Sequence, residues 1–152
     1  MLAPGPPDGA LQVVDVRDLA AFALGHLEAR TAAVFGVVGP PEPLTWGAFL
    51  PLVCEIVGSG TTLAWVDRAD LERLLGDELD ASLPLRDYDY PNLHRYDGRR
   101  AIVAGLSHRP LRETIADTSR WDRSRGSPEP MRAGFTRERE REVLEAIETG
   151  TR

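Results

Sequence analysis

The order of its apolar runs predicts an α/β chain whose parallel sheet is too small to stand alone. Short β-branched runs alternate with helical ones as strand, helix, strand, helix, strand, the arrangement that lays parallel strands side by side. Residues 31–38 form a compact apolar run, which suits a strand covered on both faces. Three strands fall short of the about five or six of a doubly wound sheet, so neighbours are expected that these elements do not supply.

Residues 11–16 read as the first strand, and Asp15 or Asp18 caps the helix that follows, because a carboxylate there accepts free backbone N–H groups. Leu19, Phe22, Ala23 and Leu27 then recur at helical spacing and predict its buried face. After the 31–38 strand, Gly39 and the Pro40-Pro41-Glu42-Pro43 stretch make a turn. Thr45 opens a second helix, with Trp46, Phe49, Leu50, Val53 and Val57 on one face and Gly58 closing it. Pro51 removes a backbone donor within that helix and predicts a kink or a split.

Residues 61–66 are the third strand, and Asp67 caps a short helix that runs to Leu75 and stops at Gly76. Residues 77–98 hold no sustained period and mix acids with Tyr88, Tyr90, His94 and Tyr96, which predicts a long ordered loop of the kind that often carries function. Residues 99–104 form a short helix stopped by Gly105. Pro110 suits the first position of another, with Leu111, Ile115, Thr118 and Trp121 on one side. Polar residues 123–135 read as a linker, and residues 136–147 as a charged helix with the narrow apolar stripe Val143, Leu144, Ile147. The organisation expected is a strand-helix-strand unit over 1–40, an α/β region over 41–122, the linker, and a helical tail over 136–152.

Composition narrows the chemistry. All 18 basic residues of the Lys+Arg total are arginine. A phosphate loop ending in Gly-Lys-Ser/Thr, a Schiff-base lysine and a Tyr/Lys proton-transfer pair all need an amine that the chain lacks. The net charge of −6 argues against nucleic acid and anionic membranes as partners. Residues 95–141 hold 12 arginines against 7 acids, which allows a basic stripe, but arginines alternating with glutamates, as in Arg137-Glu138-Arg139-Glu140, more often make a solvated, internally paired helix face. No apolar run approaches the ~20 residues of a membrane span. One cysteine, Cys54, rules out an internal disulfide and suits a reducing, cytoplasmic setting; on its helix face it reads as a small buried residue.

Four stretches together resemble a known family. Gln12-Val13-Val14-Asp15-Val16-Arg17-Asp18-Leu19-Ala20, Val34-Phe35-Gly36-Val37-Val38-Gly39, Leu44-Thr45-Trp46, and the run from Gly105 through His108-Arg109-Pro110 to Trp121 are similar, in order and spacing, to the second half of extended short-chain dehydrogenases/reductases. This is the NAD-dependent epimerase/dehydratase family, and residues 134–146 resemble an actinobacterial reductase-like subgroup. The resemblance implies an incomplete Rossmann-like portion, the last strands and helices of a parallel sheet, followed by a small substrate-side α/β region. It also implies that the glycine-rich cofactor loop and the catalytic Ser/Thr, Tyr and Lys belong upstream of this chain. NAD or NADP would then bind the parent enzyme and not this chain alone, which is expected to be inactive. A Leu-Ala-Pro-Gly stretch that such proteins carry in mid-chain here follows Met1, so a truncated gene or a mispredicted start is one expectation. The alternative is a stand-alone interaction module or pseudoenzyme that pairs with itself or with a separate cofactor-bearing chain. Nucleotide-sugar epimerases of the family place a diphosphate-binding arginine where this chain has Leu11, which argues against such a substrate.

No catalytic, cofactor or metal residue is expected within the chain. His26, His94 and His108 lack metal-ligand spacing. Substrate-side candidates are Arg109, Tyr90, Arg95 and Gln12. Arg109 either meets a substrate anion or satisfies carbonyls ahead of Pro110. Tyr88, Tyr90, Arg95 and Tyr96 make either a ligand-facing wall or a loop anchor. Gln12 on the entry strand points toward a pocket if strand alternation places it so. Asp15, Arg17 and Asp18 read as a capping carboxylate with a paired arginine.

Overall fold

A computed structural model describes residues 1–58, 60–76, 93–126 and 134–150. The chain is mixed α/β, and its strands among the described residues make two small sheets of two strands each. Strand β1 (Leu2–Pro4) lies parallel to β4 (Ala64–Val66), with Leu2 beside Ala64 and Ala3 beside Trp65. Strand β2 (Ala10–Leu11) is antiparallel to β3 (Leu44–Thr45). Sequence reading assigns no element to β1. The structure recruits it through the Met1 carbonyl, which accepts from the Ala64 N–H at 2.9 Å, and through the Gly5 N–H, which donates to the Val66 carbonyl at 2.9 Å.

Two strand expectations are corrected. The strand over 11–16 shrinks to Ala10–Leu11, after which Val13 makes a single backbone bond to the Gly39 carbonyl at 2.7 Å. Residues 31–38 are extended but belong to no strand. Their composition favours β structure, yet a strand exists only through a ladder of backbone bonds, and among the described residues nothing provides one. They keep a strand's alternation nevertheless. Phe35 and Val37 pack inward, while Val34 points out and is 85% exposed.

The helices follow the sequence more closely. Helix α1 (Val16–Glu28) is capped by Asp15, whose side chain accepts from the Arg17 N–H. Helix α2 (Trp46–Val57) begins after Thr45, whose hydroxyl accepts from the Ala48 N–H at 3.2 Å, and ends at Gly58 in the left-handed region at φ 67°. Pro51 does not split it. The ring is exposed on the outer side of an unbroken helix, which goes on without the backbone donor that Pro51 lacks. Helix α3 (Arg68–Leu75) stops at Gly76, but the Asp67 side chain makes no capping bond. Helix α4 (Arg99–Val103) ends before Gly105, α5 (Leu111–Ser124) starts after Pro110, and α6 (Arg137–Gly150) closes the chain. Arg123 and Ser124 therefore finish a helix and do not begin the linker.

Burial is split between two clusters. Leu2, Val66, Leu71, Leu75 and Val143 form one beneath β1 and β4, with Leu144 and Ile147 of the expected α6 stripe packed against it. Phe22, Ala101 and Leu106 form the other, backed by Phe35 and Val37. Helix α5 is tied to α2 by Arg112, which donates to Glu55 at 2.5 Å, and by Arg123, which donates to the Val57 carbonyl at 3.0 Å. Among the described residues, no helix is long and apolar enough to cross a membrane.

Candidate functional site

The most connected polar feature joins the N-terminal end of α1 to that of α5. Asp15 and Asp18 are the buried charged side chains among the described residues. The sequence holds them there because Asp15 must lie at the cap while Asp18 falls one turn later on the side that Phe22 buries. Asp15 accepts from the Arg17 guanidinium at 2.9 and 2.8 Å and from the Thr114 hydroxyl at 2.7 Å. Asp18 receives the Arg109 backbone N–H at 2.9 Å on Oδ2, and the Arg109 guanidinium at 2.8 and 2.7 Å on Oδ1. Arg17 reaches on to Asp117 at 2.6 Å, and Asp117 in turn accepts from Arg120.

These contacts set the electrostatics. The Arg17 guanidinium holds the Asp15 carboxyl well below the usual carboxylate range; burial opposes this, and the Thr114 hydroxyl, the Arg17 N–H and Arg109 add to it. Burial raises Asp18, but the hydrogen bonds and charge of Arg109 outweigh it and leave its carboxyl below its ordinary value. Carboxylates stabilised in this way are weak proton acceptors, and every charge in the cluster already has a partner. The arrangement is a clasp that fixes α1 against α5.

Just beside it, His108 Nε2 lies 3.0 Å from the Val38 carbonyl oxygen, and the ring packs so closely on Gly39 that a Cβ there would sit 2.5 Å from it. Sequence reading weighs His108 only as a metal ligand. The structure uses it to pin the end of the 31–38 segment. A cavity of about 20 Å³ lies between Val13, Pro40, His108 and Leu111. Two larger, open clefts flank α1. One of about 590 Å³ runs past Val14, Val16, Thr118 and Trp121, and one of about 500 Å³ runs past Ala21, Gly25, His26 and Ser107.

Of the expected substrate-side residues, Arg109, Gln12 and Arg95 fall among the described ones. Arg109 is engaged by Asp18 and lies 3.5 Å from Asp15, carboxylate partners that neither of its two readings named. Gln12 does not face any of these clefts: its amide donates to the Tyr96 carbonyl at 2.8 Å and accepts from the Tyr96 N–H at 3.0 Å, closing a backbone-like pair. Arg95 is exposed on the neighbouring stretch, and Tyr88 and Tyr90 lie outside the described residues, as does most of the expected 77–98 loop. Cys54 is half-buried rather than enclosed. Among the described residues, no group of three His, Cys, Asp or Glu side chains is placed to hold a metal ion.

The feature that sequence reading assigned to the wrong side is the apolar face of α1. Phe22 is buried as expected, but Leu27 is 71% exposed and Leu19 faces water with it. Val16, Leu24 and the alanines at 20 and 23 complete an apolar stripe that nothing among the described residues covers, opposite the side that buries Asp18 and Phe22. The signal was present in the sequence, since the helix has more apolar positions than one face can hold. Comparison with known proteins finds no matching family model, curated protein or solved structure.

Proposed function

We propose that this chain is the substrate-side region of an NAD(P)-dependent epimerase, dehydratase or reductase of the extended short-chain type, working in the cytoplasm and only together with a cofactor-binding sheet. The observation that carries this reading is the pairing of two uncovered surfaces. Helix α1 turns Val16, Leu24 and Leu27 to solvent, and after a connection of a few residues the 31–38 segment runs extended with Val34 outward. A helix followed at once by an extended segment is how an α/β layer is built. A neighbouring strand would complete the ladder of 31–38, and the sheet it belongs to would cover the outer stripe of α1. Covering Val16, Leu24, Leu27 and Val34 is worth on the order of 5 kcal/mol before the cost of association.

In this reading NAD or NADP binds the partner sheet, which also brings the catalytic Ser/Thr, Tyr and Lys, and this chain contributes the wall against which a small substrate lies. The clasp of Asp15, Arg17, Asp18 and Arg109 holds α1 and the following segment in position for that assembly. The test is a fusion behind the cofactor-binding half of an extended short-chain dehydrogenase/reductase. The fusion should bind less hydrophobic dye than the isolated chain, and NAD or NADP should raise its urea midpoint; Leu24→Lys with Val34→Lys should abolish both effects. A fusion that keeps the dye binding of the isolated chain and ignores both dinucleotides would overturn the proposal.

A further inference from the structure

We draw no further inference here: the strongest candidate, the open apolar groove between the N-terminal end of α1 and α5 that Val14, Val16, Thr118 and the exposed Trp121 border, carries nothing because no feature of the structure shows what covers it.

Discussion

Replacing Asp18 by Asn removes one charge from the clasp and leaves its shape intact. Both carboxylate oxygens of Asp18 accept from Arg109, one from the backbone N–H and the other from the guanidinium. Whichever way the new amide turns, its NH₂ therefore faces a donor. Removing one partner of a buried pair costs about 3–5 kcal/mol where the other is left stranded. Arg109 is not fully stranded, since its side chain is 25% exposed and Asp15 lies 3.5 Å away. Loss of the repulsion between Asp15 and Asp18 returns a further part. The expected net loss is about 2 kcal/mol, read as a lower urea midpoint by far-UV circular dichroism at neutral pH. For a chain of this size that corresponds to a melting temperature lower by about 4–8 °C. Asp97→Asn is the control: Asp97 pairs with Arg99 at 2.7 Å, but the Arg99 side chain is 87% exposed, and such pairs contribute little. If Asp18→Asn proves as mild as this control, the clasp is not what holds α1 to α5.

The same carboxylates set an acid limit. Asp15 and Asp18 titrate lower in the folded chain than the ordinary carboxyl value of 3.8, so their contribution is complete above that pH and is lost as pH falls toward their folded values. Urea midpoints should be level from neutral to mildly acidic pH and fall below about pH 4, with a shallower fall in Asp15→Asn; an equal fall in both proteins would remove Asp15 from this role. Gly39→Ala should destabilise by about 1–3 kcal/mol, because its Cβ meets the His108 ring. Gly25→Ala, in open space within α1, should instead stabilise by about 0.5–1 kcal/mol, so thermal shifts of the same sign in the two variants would contradict the packing described here. Leu24→Lys with Val34→Lys should leave the melting temperature of the isolated chain nearly unchanged while reducing hydrophobic-dye binding and self-association on size-exclusion chromatography; a large stability loss would mean that these side chains are already covered.

Local signals were legible where a single residue decides a local conformation. Thr45 and Gly58 bound α2 because a hydroxyl cap and a left-handed glycine act within one turn. The Asp15 cap was legible for the same reason, whereas its bond to Thr114 spans 99 residues of sequence and that of Asp18 to Arg109 spans 91. No periodicity reports such contacts. The 31–38 segment shows the opposite failure: its compact apolar, β-branched composition describes a strand, but pairing is a property of two segments and cannot be read from one. The apolar count of α1 did hold the information that a second face exists. Assigning Leu19 and Leu27 to the buried face missed it, because helical spacing places residues on a face without saying which face meets the core.

The most direct test of the account is urea unfolding of the isolated chain, followed by near- and far-UV circular dichroism without dinucleotide and with saturating NAD or NADP. A ligand that binds only the folded state must raise the midpoint. The account requires the same midpoint in all three solutions, with dye binding that reports the uncovered α1 stripe. A saturable rise with either dinucleotide would show a complete binding module and contradict the reading of this chain as a substrate-side region that depends on a partner sheet.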